Sequence, residues 1–266
     1  MGGGDRLPAR PLRRGGQVVS ASFLFLSARP EKDAVEPEYE AVRRTMALTP
    51  HQLHHHPLVD APLADLPLSK FRGIVVGGSP FNVSTEDTRK SLQQRRVETD
   101  LARLAEWAVT HDARVVFTCY GIGVLTRVLG GAVDTAHGEA AAAVEVTLTD
   151  AGTSDPLTGA LPGTFQALVG HKESTSVLPN SAVLLATSVG CPVQIYRVGS
   201  HVYATQFHPE VSPEEFIARS RVYRNHGYFR ADELSAVIER LTAASVTEPQ
   251  RLLRRFAEAA LQDVPD

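Results

Sequence analysis

The sequence predicts an α/β fold with a mostly parallel sheet covered by helices on both faces. Three observations carry this. Short apolar runs recur through the first half of the 266 residues, too short for helices and bounded by turn residues. Amphipathic segments stand between them. The joining turns are short, as successive strand–helix units require.

In chain order, residues 1–17 read as a flexible basic leader carrying Arg10, Arg13 and Arg14. The apolar stretch behind it imitates a signal peptide. Ser20 and Ser22 interrupt it and Arg29-Pro30 follows at once, so a first buried strand over residues 22–27 is the better reading. Residues 36–46 have helical character, with Tyr39, Val42 and Met46 on one face. Residues 53–58 form a weaker candidate strand in a histidine-rich segment. The run Gly-Ile-Val-Val at 73–76 is a clear buried strand, ending in the turn Gly77-Gly78-Ser79-Pro80. Residues 98–110 set Leu101, Leu104, Ala105 and Ala108 along one side of a helix. A strand at 114–117 runs into Cys119-Tyr120-Gly121, and a helix over 122–129 closes at Gly130-Gly131.

Beyond Gly138 the character changes. Strand-like segments at 143–148, 165–169, 182–187, 194–198 and 202–205 crowd together. From Pro213 the chain turns helical, over 214–224, 232–242 and 249–261. The implied organisation is a leader (1–17), one α/β domain (18–212) and a helical C-terminal extension (213–266).

Composition narrows the function classes. With 43% hydrophobic and 21% charged residues, the chain has ordinary globular chemistry. A formal net charge of −3 gives no basic bias toward nucleic acid or an anionic membrane. Two cysteines, Cys119 and Cys191, exclude a disulfide scaffold, and reduced thiols fit a cytoplasmic protein. No apolar run reaches the roughly 18–20 residues a spanning helix needs.

The residues that carry chemistry are few. Cys119 follows a strand and precedes a helix. A thiol on such a turn stands at the carboxyl edge of the sheet, and the helix N-terminus behind it favours the thiolate. Gly121 lets the backbone turn and the helix approach closely. On this segment alone a buried structural cysteine is an equal reading. The run Gln206-Phe207-His208-Pro209-Glu210 decides between them. His208 has the chemistry of a general base toward a thiol, and Glu210 that of an orienting, charge-stabilising carboxylate, with Pro209 stiffening the spacing.

At this point the chain resembles a known family. Gln206 to Glu210 matches the Q-F-H-P-E signature of class I, triad-type glutamine amidotransferases. Cys119-Tyr120-Gly121 looks like their C-x-G nucleophile elbow. Gly77-Gly78-Ser79-Pro80 resembles the Gly-Gly turn that supplies an oxyanion-hole amide. Within the family the chain is most similar to the glutaminase domain of GMP synthases and their stand-alone relatives. The resemblance implies a three-layer, flavodoxin-like fold with a central mixed sheet. It implies a nucleophile Cys119, a base His208 and an orienting Glu210, with backbone N–H groups of Gly78 and Tyr120 as oxyanion donors. Gly77, Gly121, Gly170, His171 and Lys172 fall at substrate-binding positions. The implied reaction hydrolyses the side-chain amide of L-glutamine to glutamate and ammonia, with no metal or organic cofactor. Related single-domain proteins cleave γ-glutamyl peptides, and a non-catalytic regulatory module of the same fold is the remaining alternative.

Three departures bear on the substrate. The elbow pattern P-x-x-G-x-C-x-G-x-Q has Arg114 at the proline, Phe117 at the first glycine and Gly123 at the final glutamine. That glutamine helps hold substrate in the family, so its loss puts free glutamine in question. The family's Ser-His-Gly-Asp segment is here Gly170-His171-Lys172-Glu173. No ATP-binding phosphate loop occurs in the sequence, so an ammonia-accepting synthetase is expected on a separate chain or not at all.

Other features have plain readings. His51 and the run His54-His55-His56 lack a partnering cysteine or carboxylate cluster and read as a polar surface or a homodimer segment rather than a metal site. Cys191 reads as a packed thiol. In the stretch holding Arg219, Arg221, Tyr223, Arg224, Tyr228, Phe229 and Arg230, the aromatics are expected on the core and the arginines in solvent.

Overall fold

The computed structural model describes residues 23–226 and 229–262. The proposed leader, Ser22 and Tyr228 lie outside the described residues.

The chain opens with β1 (Phe23–Ser27), α1 (Lys32–Thr45), β2 (Leu53–Pro57), β3 (Gly73–Val76), α2 (Leu92–Thr110), β4 (Val115–Thr118) and α3 (Tyr120–Val128). The β-rich part follows: β5 (Ala132–Asp134), β6 (Glu139–Leu148), a short α4 (Asp150–Ser154), β7 (Thr164–His171), β8 (Ser174–Val177), β9 (Ala182–Ser188), β10 (Ile195–Val198) and β11 (Val202–Thr205). Three helices end it, α5 (Pro213–Val222), α6 (Leu234–Thr242) and α7 (Pro249–Gln262).

Among the described residues, nine strands form one sheet in the order β2-β1-β3-β4-β11-β10-β9-β6-β7. The neighbours from β2 through β11 are parallel, and β10, β9, β6 and β7 join antiparallel. The sheet is therefore mixed, and the strand-like second half extends the same sheet. β5 and β8 pair separately as a small two-stranded sheet.

Burial on both faces explains the apolar runs. Successive residues of a strand point to opposite faces. Phe23 and Phe25 accordingly join one core cluster and Leu24 and Leu26 the other. The first core lies under α1 and α7, contributed by Val42, Met46, Leu252, Leu253 and Phe256. The second lies under α2 and α3, contributed by Leu101, Leu104, Ala105, Ile122 and Leu125. These make the outer two layers. α5 and α6 close a third cluster over Ala141 and Leu168, with Phe216, Ile217, Val237 and Leu241.

Helix α2 begins six residues earlier than the apolar stripe suggests. Ser91 caps it, its hydroxyl accepting from the Gln94 N–H at 3.0 Å. The first turn is polar, and Leu92 within it is exposed. No helix of the described residues is long and apolar enough to cross a membrane.

Candidate active site

β4 and β11 are adjacent and parallel, with Thr118 level with Thr205. The residues that follow each strand thus emerge side by side at the same carboxyl edge. The Cys119 N–H donates to the Thr205 carbonyl at 2.8 Å, locking the two exits together. Cys119 then takes φ 49° and ψ −102°. A non-glycine residue in that region carries about 1–3 kcal/mol of strain, which a tight strand-to-helix elbow sustains because the flanking elements hold it. Gly121 makes the elbow fit: a Cβ there would stand 3.2 Å from the Phe117 Cβ and 3.3 Å from Val76 Cγ1. Phe117, in place of a glycine, is fully buried beneath the turn.

After β11, the His208 N–H donates to the Leu168 carbonyl at 3.0 Å. Its ring then has two partners. Nδ1 donates to Glu210 Oε1 at 2.9 Å, and the Cys119 side chain lies close enough to act on the ring's ionisation. Cys119, His208 and Glu210 are all buried. Burial pushes the imidazole down, but the charges of Glu210 and Cys119 outweigh it and lift His208 to about 9. Burial likewise opposes ionisation of Glu210, yet His208 and Arg219 hold that carboxyl well below its ordinary range.

Three further charged residues join this group, and none was singled out from the sequence for it. Arg219 Nη1 donates to Glu210 Oε1 at 2.9 Å, and its Nη2 lies 3.7 Å from Glu38 Oε1. Arg29 Nε donates to the same Glu38 oxygen at 2.8 Å. Arg219 Nη1 also approaches His208 Nδ1 to 3.1 Å. Both are donors toward the shared Glu210 oxygen, so this is a close approach of two donors and not a bond. The solvated role expected for the arginines fails at Arg219. Its side chain is only 11% exposed, because the buried carboxylates of Glu38 and Glu210 demand a cation. Arg221, Arg224 and Arg230 are exposed. Tyr223 is buried, and Phe229 packs partly buried against the third cluster. Helical spacing was the available signal: Phe216, Arg219, Ser220 and Tyr223 stand at i, i+3, i+4 and i+7, putting an arginine on an apolar face.

The capping box of α5 aims that face. Ser212 Oγ accepts from the Glu215 N–H at 3.3 Å, and Glu215 Oε2 accepts from the Ser212 N–H at 2.8 Å, with Pro213 in the first turn. From the other side, Thr45 of α1 donates to the Glu210 carbonyl at 3.0 Å.

Gly78 lies against the side chains of both Cys119 and His208. A Cβ there would stand 2.7 Å from His208 Cε1 and 3.4 Å from the Cys119 Cβ. Gly77 faces away: its N–H donates to the Leu26 carbonyl at 2.9 Å, and Glu38 and Phe25 fill the space its Cβ would take. Tyr120 opens α3, with its ring edge on Phe81 at 6.1 Å between centroids.

Two clefts meet at Cys119. One is polar and includes Asn82, Tyr120, Gly123, Lys172, Glu173 and Gln206. His171 belongs to its wall, with Nε2 2.9 Å from Glu139 Oε2 and Nδ1 3.0 Å from the Glu173 carbonyl. Burial lowers the Lys172 pKa, against the pull of Glu173, and its ammonium donates to the His226 carbonyl at 3.0 Å. The other cleft lies on the His208 side and includes Gly170, Phe216, Tyr223 and Phe229.

The departures at 123 and 173 prove to be linked. Glu173 accepts from the Val83 N–H at 2.6 Å and the Ser84 N–H at 2.8 Å, pinning the loop that follows the Gly-Gly turn. The pinned loop drives Val83 toward α3, where a Cβ on Gly123 would be 3.0 Å from Val83 Cγ2. Glycine at 123 and the longer carboxylate at 173 are two halves of one packing solution.

The histidine run lies on edge strand β2. His55 Nε2 is 2.8 Å from Ser27 Oγ, and its ring stacks on Phe25 at 5.6 Å. Burial lowers the pKa of both His54 and His55. Cys191 is fully buried, its thiol pushed up to about 11 by that burial.

A family model for class-I glutamine amidotransferases matches residues 39–226. The GMP synthase (glutamine-hydrolysing) of Borrelia garinii subsp. bavariensis is 26% identical over 155 residues, covering 58% of this chain and 26% of that protein. Gamma-glutamyl peptidase 3 of Arabidopsis thaliana is 28% identical over 155 residues, covering 55% of this chain and 57% of that one. The chain spans about a quarter of the length of the Borrelia garinii GMP synthase and of those of Borreliella burgdorferi. Among solved structures, a glutamine amidotransferase from Thermotoga maritima superposes with a TM-score of 0.72 at 16% identity, covering 91% of this chain and 99% of that one.

Proposed function

The chain belongs to the class-I glutamine amidotransferase family, and on that premise we propose that it hydrolyses the side-chain amide of glutamine through a cysteinyl thioester. The observation that carries this reading is the convergence of a strained Cys119 elbow with the hydrogen-bonded His208–Glu210 pair at one edge of adjacent strands.

A cationic His208 stabilises the Cys119 thiolate before substrate arrives. The sulfur attacks the γ-amide carbon, and the developing oxyanion is met by the N–H groups of Gly78 and Tyr120. Such a donor is typically worth roughly 10²–10³ in rate. His208 passes its proton to the leaving nitrogen as the C–N bond breaks, and ammonia departs. Water, deprotonated by His208, then cleaves the thioester to glutamate and restores the thiol. Glu210 holds the imidazole in the tautomer this needs. The polar cleft with Lys172 and His171 suits the charged α-amino and α-carboxylate groups of a glutamyl substrate. Gly170 lines the His208-side cleft, not the polar one; Gly77 and Gly121 serve by letting the backbone pack. The reaction as written requires no metal or organic cofactor, and any synthetase that uses the ammonia would be a second chain.

A second reading has one observation in its favour. Gly123 offers no side chain to grip substrate, and Val83 occupies the space one would use. Binding energy lost on the glutamyl side has to be recovered elsewhere, and a γ-glutamyl amide with a larger leaving group provides the opportunity.

The test is glutamate release from glutamine, with hydroxylamine added to trap the acyl-enzyme as γ-glutamyl hydroxamate. Cys119→Ala is expected to lower both products at least about 10³-fold. Turnover by Cys119→Ala at the wild-type rate would refute the mechanism.

A further inference from the structure

The mechanism fixes the side on which the leaving group departs. His208 protonates the leaving nitrogen, so that nitrogen and whatever it carries must leave along the His208 face of Cys119. That face opens into the second cleft, whose walls come largely from α5 and the segment after it.

Three phenylalanine and tyrosine side chains stand in its walls, beside Arg29, Arg219, Ser79 and Ser220. The Phe216 ring lies 5.8 Å from the His208 ring. It comes this close because residue 170 is glycine: a Cβ there would meet Phe216 Cζ at 3.2 Å. Tyr223 forms another wall with Arg29 over its ring at 5.4 Å, and Phe229 stands partly exposed at the rim. The charges near this cleft are matched. Arg29 is engaged with Glu38, and Arg219 with Glu38 and Glu210. No net charge is left to draw in a carboxylate, and an amino-acid leaving group would find little to pair with. Ammonia, three hydrogens on one nitrogen, gains nothing from three aromatic side chains. An amine with an apolar body does.

From this we propose that the His208-side cleft is a leaving-group subsite, and that the substrates it favours are γ-glutamyl amides of apolar amines. The inference rests on the Cys119 thioester mechanism above and names the substrate class of that site. The balance of the step is unchanged. The Sγ–C bond forms, the C–N bond breaks, the His208 proton passes to nitrogen, and the free amine leaves along the aromatic wall. Water then releases glutamate.

The helical extension acquires a role on this reading. It supplies the walls that distinguish one leaving amine from another, while α3 and the loop after the Gly-Gly turn hold the glutamyl group common to all of them.

The test compares kcat/KM for glutamine, γ-glutamyl-methylamide and γ-glutamyl-phenethylamide. The two alkylamides have leaving groups of similar reactivity and differ in apolar bulk. The phenethylamide is expected to exceed the methylamide by at least about 10-fold, the discrimination an apolar pocket achieves. Phe229→Ala, at a half-buried position on the cleft wall, is expected to shrink that ratio toward one while glutamine turnover persists. A wild-type ratio near one, with glutamine and the methylamide both turned over, would overturn the subsite and leave the thioester mechanism standing. A large ratio that Phe229→Ala does not change would also overturn it. If none of the three amides is hydrolysed, the mechanism itself fails and the subsite with it.

Discussion

Arg219 Nη1 and His208 Nδ1 both reach Oε1 of Glu210, each at 2.9 Å. One carboxylate oxygen is shared between the proposed catalytic imidazole and a guanidinium from the helix that follows it. Glu210 therefore does two things at once: it holds the His208 ring, and it anchors α5 against the site.

This sharing sets the first prediction. A fixed cation beside His208 disfavours the imidazolium. Replacing Arg219 by methionine removes it, so the His208 pKa, already near 9, moves further up. The expected shift is on the order of one unit, read by ¹⁵N NMR of the labelled histidine ring. An unchanged or lowered value would mean that Arg219 only packs there.

Gly78 gives the second. A methyl at this position would stand 2.7 Å from His208 Cε1 and could not be absorbed without moving the ring or the loop. Gly78→Ala is expected to lower kcat by roughly 10²-fold or more, with the urea midpoint little changed. Near-wild-type kcat would place the oxyanion donors elsewhere.

The third concerns Gly123. Restoring the family's glutamine there is expected to destabilise the fold by about 1–3 kcal/mol, the usual cost of overpacking, because Val83 is already in the way. Gly123→Gln combined with Val83→Ala is expected to recover most of that loss in a urea melt. Equal damage in the single and the double variant would sink the packing argument.

The fourth is a pH dependence of stability. Glu210 is held below its unfolded value near 4.5, so its contribution is present above that pH and fades as pH falls toward the depressed folded value. His208 is raised from 6.5 to about 9, so its contribution is full below 6.5 and is lost as pH rises through 9. The stability gap between wild type and Glu210→Gln should therefore be widest between about pH 4.5 and 6.5 and should narrow toward pH 9. A gap that grows from pH 6.5 to 9 would contradict this assignment of charges.

The elbow and the His-x-Glu pair were legible because their signals are local. Cys119 directly follows β4, whose Val115, Val116 and Phe117 form a short apolar run, and His208 and Glu210 lie within one five-residue signature. The strands were legible where burial on both faces makes them continuously apolar, as in β1 and β3. What was not legible depends on distant register. Glu38 and Arg219 stand 181 positions apart in sequence, and only the packing of α1 and α5 around Glu210 brings them together. The link between Gly123 and Glu173 is equally hidden, since each looks like an isolated departure until Val83 is seen between them. The short pair β5 and β8 carries too few apolar residues to register as strands, and α4 is too brief to show a period.

Everything proposed for this site depends on Cys119 being a nucleophile beside a pocket for the glutamyl group. The most direct measurement is alkylation by the glutamine analogue 6-diazo-5-oxo-norleucine, with the adduct located by mass spectrometry in wild type and in Cys119→Ala. A single adduct on Cys119 is expected, slowed by excess glutamine or a γ-glutamyl amide and absent from the variant. No adduct, while a general thiol reagent still modifies Cys119, would leave an accessible thiol with no glutamyl pocket and would contradict the claim.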